Sequence, residues 1–309
     1  MSCLPEGELD KVLAIDIGSN TIKSLSGYLE DGKFYELESR SLPIRITKAD
    51  GLVDDAAEKI AYAIEYLLHE EEGDFDFRVV ATSALRTCPN REEICRQVDD
   101  MTGVEIDVIS GQKEAFLSAV GAIYDKSIKV PSDFVFMDLG GGSLELAFCR
   151  EKKVEKVDSF AIGAVRLTEM FIENPSEKIP AQALIDMSAY CKDKLKDFKV
   201  GSDKSLAVAT GGAVAAAKYM LEHLGLKSFN ESLLLSDLEY LLEKISKENV
   251  QERIKNYAIP ENRADIIPAS FVCLIACMQE LNLNELLYAK QSLRRGICVE
   301  HFCLVDCDL

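Results

Sequence analysis

Apolar residues open the chain in one short run, KVLAIDI from Lys11 to Ile17, and then alternate with polar ones through two further β-rich stretches. Gly18, Ser19 and Asn20 separate the first pair, and Asp31 and Gly32 the second, so residues 11–46 predict a hairpin followed by a third strand. From Val53 to about Glu72 the period changes. Ala56, Ala57, Ile60, Ala61, Ile64, Leu67 and Leu68 recur at helical spacing, and Asp54 and Asp55 place negative charge where a helix N-terminus favours it. A strand (FRVVATSAL), a helix (Arg91 to Thr102), a short strand (VEIDVIS) and a helix opening at Gly111 complete an α/β half.

The second half repeats the theme after a polar connection around Asp125 to Ser132. FMDLGGGSLELAF lies over LAIDIGSNTIKSL, with the aspartate, the glycine turn and the following strand in corresponding places. Helices are predicted at about Gly163–Glu173, Pro180–Lys196, Gly211–His223, Ser236–Lys247 and Ile267–Leu281. Short strands are predicted at SLAVAT and near LLYAK, and a helix from about Gln291 closes the chain. The expected fold class is α/β, with two related lobes, each a mixed sheet flanked by helices. Residues 1–126 form the first lobe, joined by the closing helix at about 291–309, and residues 127–290 form the second, with a cleft between them.

Composition narrows the reading. The chain has 309 residues, a length that suits two domains of about 150 each. No apolar run approaches the roughly 18 residues of a membrane span, and the N-terminal MSCLPEGELDK lacks a basic start followed by an apolar stretch, so a cytoplasmic protein without signal peptide is expected. The ten cysteines are scattered. Cys273 and Cys277 stand one helical turn apart, and Cys298, His301, Cys303 and Cys307 cluster near the end without paired C-x2-C spacing, so buried or frayed thiols are expected rather than a zinc site. A net charge of −18 excludes nucleic acid and anionic membrane as main partners. A small anion remains open, provided backbone N–H groups, a cation and a few placed basic residues overcome the field locally.

Two segments meet that demand. Asp16, Gly18, Ser19, Asn20 and Thr21 put a carboxylate at a strand end and a small-residue turn after it, where N–H groups and hydroxyls can cradle phosphate. The same residues also make a good hairpin turn without ligand. Asp138, Gly140, Gly141, Gly142, Ser143 and Glu145 are harder to read that way: three consecutive glycines weaken a plain hairpin, and close backbone approach to a ligand explains them. Asp138 and Glu145 could face one divalent cation, directly or through its waters.

The two loops resemble those of actin, hexokinase and the heat-shock chaperone ATPases. ATSALRTCPN, VISGQKEAFLSAVGAI, MDLGGGSLEL, FAIGAVRLTEMF, ATGGAVAAAKYM and NRADIIPAS narrow the resemblance to the exopolyphosphatase and guanosine pentaphosphate phosphohydrolase (Ppx/GppA) family, in its short two-domain form. The resemblance covers essentially the whole chain. It implies Glu114 as general base, although a glutamate in the first turn of a helix is otherwise unremarkable. It implies Arg86, with Ser83 beside it, as a phosphate-binding arginine, Lys23 in a place where relatives often have arginine, Arg166 as a residue holding a loop, and Gly211 and Gly212 as a loop approaching the ligand. Asp138, Glu145 and Asp16 are then the expected holders of Mg²⁺ (or Mn²⁺).

Three positions depart from the family pattern: Ala213 follows the glycine pair where threonine is common, Phe116 stands where arginine often follows Glu-Ala, and Arg295 replaces an acid. The last predicts altered lobe contacts or a basic patch for a long anion. The implied reaction is metal-dependent hydrolysis of a terminal phosphate, with inorganic polyphosphate as the favoured substrate and guanosine pentaphosphate as the alternative. Tryptophan is absent, and no aromatic cluster in the sequence marks a base pocket. A kinase of the same superfamily and a non-catalytic sensor of guanosine tetraphosphate-like molecules are competing classes, and a homodimer is allowed for.

Overall fold

The computed structural model describes residues 10–48, 51–71, 73–200 and 206–304, so the predicted helix end at Glu72 and the tail containing Cys307 lie outside the described residues. The chain divides into two compact units, one running to Gly121 and resuming at Leu293, the other spanning Ala122–Ser292.

The first unit is built on β1 (Lys11–Ile17), β2 (Ile22–Glu30) and β3 (Lys33–Leu42), an antiparallel meander. A two-residue ladder, β4 (Thr47–Lys48) with β5 (Gly51–Leu52), leads into α1 (Ala56–His69). β6 (Asp76–Ala81) then pairs parallel with β1. The predicted strand through Leu85 ends earlier, because the chain turns at Thr82 and Ser83–Arg86 coil into a one-turn helix, α2, closed by Arg86 N–H on Thr82 O at 2.9 Å. α3 (Arg91–Thr102), β7 (Asp107–Val108) and α4 (Gly111–Ile123) follow, giving the sheet order β3-β2-β1-β6-β7. Its core gathers Leu13, Ile15 and Ile17 against Ile60, Ile64 and Leu67 of α1. That is the burial which the change from strand to helical period demands.

The second unit repeats the meander with β8 (Phe134–Leu139), β9 (Leu144–Arg150) and β10 (Lys153–Phe160). α5 (Ala164–Phe171), α6 (Ala181–Leu195), β11 (Leu206–Thr210), α7 (Gly212–His223) and β12 (Leu233–Leu234) come next. α8 (Leu235–Ile245), α9 (Val250–Tyr257), a 3-10 turn at Glu261–Arg263, α10 (Ile267–Glu280) and β13 (Glu285–Tyr288) complete it. The sheet order is β10-β9-β8-β11-β13-β12, with β11 parallel to both β8 and β13. α10 is buried along nearly its whole length, which accounts for its apolar sequence on every face. Arg253 on α9 is fully buried, and its guanidinium donates to four backbone carbonyls: Ile245, Pro175, Ala264 and Glu177. The chain then returns to the first unit as α11 (Leu293–His301), where Gly296 lies so close to the Leu117 backbone of α4 that no side chain fits.

One expectation changes here and one gains detail. Within the polar connection Asp125 itself is buried, and its carboxylate accepts N–H bonds from Ser127 (2.7 Å), Lys290 (2.7 Å) and Gln291 (3.0 Å). Arg295 adds no basic surface, because it is buried on α11, ion-paired with Glu36 and stacked over Phe34.

Candidate active site

The two glycine loops are built alike. In each, a glycine N–H bonds the carbonyl three residues on: Gly18 to Thr21 at 3.1 Å, and Gly140 to Ser143 at 2.9 Å. The N–H groups of Ser19, Asn20 and Thr21, and those of Gly141, Gly142 and Ser143, donate to no backbone carbonyl among the described residues, which leaves two nests of donors able to take anionic oxygens. In the second loop the carbonyls are occupied from behind. Ala164 N–H bonds Gly140 O, Val165 N–H bonds Gly141 O, both at 2.9 Å, and Arg166 Nε bonds Gly142 O at 3.1 Å. Arg166 therefore holds the loop. Gly163 makes that close approach possible, since a Cβ there would overlap the backbone of Gly141, Gly142 and Ser143.

The carboxylates sit on the strands flanking the loops. In the first unit Asp16 faces Lys23 across the β1–β2 ladder. Asp16 Oδ1 is buried without a hydrogen-bond partner, and burial pushes the carboxyl pKa up, opposed by the charges of Lys23 and Arg294. In the second unit Asp138 faces Glu145 across β8–β9; Glu145 is 1% exposed and accepts a 2.8 Å bond from Ser159 Oγ. Asp138 and Glu145 are an all-oxygen pair of the kind Mg²⁺ and Mn²⁺ use together with water and phosphate. No group of three or more His, Cys, Asp or Glu side chains suited to a metal occurs among the described residues, so such an ion would rely on this pair and on its ligand's oxygens. A Cβ at Gly211, whose φ is +99°, would stand 3.2 Å from Asp138 Oδ1, so the missing side chain keeps room beside that carboxylate. Asp16, on the first unit, has Lys23 as its neighbour across the ladder.

Arg86 and Glu114, assigned separate tasks by resemblance, are partners here. Arg86 Nη1 lies 2.7 Å from Glu114 Oε2 and 3.2 Å from Ile109 O, with both side chains mostly buried. Ser83 opens α2 and is buried one turn before Arg86. Gly212 starts α7, and the guanidinium of Arg263 fills the space over it. The Arg263 guanidinium has no hydrogen-bond or ion-pair partner among the described residues, and burial lowers its pKa. A desolvated cation over a helix N-terminus is suited to an anion. No local signal marks Arg263: it lies in NRADIIPAS, and its nearness to Gly212 is created only by the tertiary fold.

An aromatic cluster also forms in the second unit from distant positions. Phe229 packs on Tyr219 (centroids 4.6 Å apart) and edge-on to Tyr288 (5.9 Å). Burial raises the Tyr288 pKa, with Tyr219, Asp138 and Asp125 adding to it and Arg263 opposing, so the cluster adjoins the Asp138 region. These three rings are scattered in the sequence, and only the fold gathers them. Among the thiols, Cys273, Cys277 and Cys298 are buried, with Cys277 pushed above the ordinary range and Cys298 to about 12 by burial. No helix among the described residues is long and apolar enough to cross a membrane.

Comparison with known proteins fits this arrangement. The chain is 27% identical to a bifunctional 3-dehydroquinate synthase/phosphatase of Fusobacterium nucleatum, over 93% of this chain and 46% of that protein. It is 26% identical to an uncharacterized protein of Streptomyces coelicolor, over 59% and 56% respectively. The chain thus spans about half the length of the curated relatives it matches. Among solved structures, a Ppx/GppA family member of Aquifex aeolicus superposes with TM-score 0.80 at 24% identity, covering 96% of this chain and 98% of that one. An exopolyphosphatase from Cytophaga hutchinsonii superposes with TM-score 0.83 at 19% identity, covering 96% and 99%. These likenesses establish the fold, the two-lobed α/β architecture that the strand pattern predicts. Residues 48–303 match the Ppx/GppA phosphatase family, and the chain belongs to that family.

Proposed function

We propose that the chain is a phosphohydrolase that removes the terminal phosphate of inorganic polyphosphate. The observation that carries this reading is the twinned loop geometry: two donor nests, each closed by the same glycine bond and each followed by a charged rung of the sheet. Donor N–H groups and Arg263 bind terminal oxygens, and Arg86 offsets charge that develops in transfer. Glu114 takes a proton from the water whose oxygen bonds to phosphorus as the bridging P–O bond breaks. Held against Arg86 at 2.7 Å, its carboxylate is fixed in orientation. Asp138 and Glu145 would hold Mg²⁺ or Mn²⁺, which when bound neutralises phosphate oxygens.

The experiment is orthophosphate release with Mg²⁺ from long-chain polyphosphate, guanosine pentaphosphate and ATP, for the wild type and Glu114→Gln. Release from polyphosphate that falls by a factor of about 10² to 10⁴ in the variant is expected; undiminished release removes Glu114 as base. Binding without turnover would turn the reading to a sensor, and transfer of the ATP phosphate to an acceptor would turn it to a kinase. The second reading, guanosine pentaphosphate as substrate, is favoured by the Tyr219–Phe229–Tyr288 cluster, because aromatic faces give a base something to stack on. A higher kcat/KM for the pentaphosphate, reduced by Phe229→Ala, would establish it.

A further inference from the structure

Glu145 carries a carboxylate almost completely removed from water, and such a group is costly unless hydrogen-bonded. Its rung crosses three adjacent strands in register: Asp138 on β8 opposite Glu145 on β9, and Glu145 opposite Ser159 on β10. The first sheet has the corresponding rung, with Asp16 on β1 opposite Lys23 on β2, and Lys23 opposite Ser41 on β3. The two rungs differ at the central residue. In the first, a lysine answers the aspartate; in the second, a glutamate faces it, and two acids directly opposite on neighbouring strands repel unless a cation answers both.

Ser159 meets a different need. Its hydroxyl donates to Glu145 Oε1 at 2.8 Å, while its own N–H is taken by Asp158 Oδ1 at 2.9 Å, so the serine is itself held in place. A hydroxyl carries no charge. What it supplies is direction, fixing one oxygen of Glu145 and so the plane of the carboxylate.

We infer that Ser159 is a positioning residue, which holds the Glu145 carboxylate in the orientation that takes up a divalent cation beside Asp138. The inference rests on the proposed metal-assisted function and adds to it a residue that never touches the ion. A hydroxyl serving only to tie β9 to β10 would matter for stability alone, and a hydroxyl that orients a ligand matters for cation affinity.

The test measures Mn²⁺ binding to the full chain without substrate, from the loss of the free-ion paramagnetic resonance signal. It compares the wild type, Ser159→Ala, Ser159→Thr and Glu145→Gln, with thermal melts alongside. Ser159→Ala is expected to weaken Mn²⁺ binding about tenfold, the lower end for loss of a group that orients a metal ligand. Ser159→Thr, which keeps the hydroxyl, should recover most of that loss. The Mg²⁺ concentration giving half-maximal phosphate release should rise with Ser159→Ala by the same factor. If the alanine variant folds poorly, Ser159→Cys, near-isosteric with a weaker donor, carries the comparison and should fall between wild type and the tenfold loss. Wild-type Mn²⁺ affinity in Ser159→Ala or Ser159→Cys, with only the melting midpoint lowered, overturns the positioning role and leaves the metal reading intact. Equal Mn²⁺ binding by wild type and Glu145→Gln overturns both.

Discussion

Replacing Gly163 with alanine tests the account of the second loop most directly. Gly163 precedes α5 with φ −71° and ψ 162°, a conformation alanine adopts freely, so backbone strain contributes nothing. The cost is spatial: the added methyl would overlap backbone atoms of Gly141, Gly142 and Ser143. Backbone cannot swing aside as a side chain can, so the loop must move off α5. Overpacking of this kind costs about 1–3 kcal/mol. Moving away also strains or breaks the Ala164-to-Gly140 and Val165-to-Gly141 bonds, at about 1 kcal/mol each. The expected destabilisation is roughly 3–5 kcal/mol, read from urea unfolding followed by circular dichroism. Phosphate release should fall with it, because the donor nest is displaced. Gly225→Ala is the control: Gly225 has φ +68° and open space around its Cβ position, so only the conformational cost of about 1 kcal/mol applies. If Gly163→Ala cost no more than Gly225→Ala, the packing argument for the loop would be refuted.

Four further outcomes follow from the same contacts. Asp125→Asn should lose about 2–3 kcal/mol in urea unfolding, since a carboxylate accepting three backbone N–H bonds is replaced by an amide with one acceptor oxygen. Arg263→Met should raise the KM for polyphosphate at least about tenfold with little loss of melting temperature, because a desolvated guanidinium without an anionic partner contributes little to the free fold; an unchanged KM would remove it from the site. Burial raises the Asp16 pKa, so the folded state favours the neutral acid. Stability from this group is complete below the unfolded value near pH 4 and declines as pH rises through the higher folded value. Asp16→Asn should therefore gain stability relative to wild type above that range and not below it, as urea titrations at several pH values would reveal. Double-mutant cycles on Arg86→Met and Glu114→Gln should give a coupling of about 1–3 kcal/mol in unfolding, where independent effects would deny that the pair is a unit.

Much of the fold was legible because the period of hydrophobicity changes sharply, from alternation in the two meanders to helical spacing at Ala56 and beyond. Both loops could be found for a similar reason, since glycine clusters beside a strand-end aspartate are a local signal. α2 was missed because four residues carry too little pattern to distinguish a helical turn from a strand end. Arg263, the aromatic cluster and the junction at Asp125 were not legible at all, because each depends on residues brought together from far apart in the chain. The pairing of Arg86 with Glu114 across 28 positions belongs to the same class. Arg295 shows the opposite failure: a charge read locally as surface lies buried, and only the position of Glu36 explains it.

Arg253 has a consequence for how the second unit opens. Its guanidinium is satisfied only when the end of α8, the segment at Pro175–Glu177 and the turn at Ala264 are all in place. Ile179 N–H on Ser246 O and Val250 N–H on Ser176 O, both 2.9 Å, fasten the same segments beside it. Opening any one of these stretches exposes a buried cation to lost partners in the others, so they should exchange their amide protons at a common rate, as a single cooperative block. Arg253→Met should split that block into segments that open independently, a change visible in native-state hydrogen exchange before any loss of overall fold.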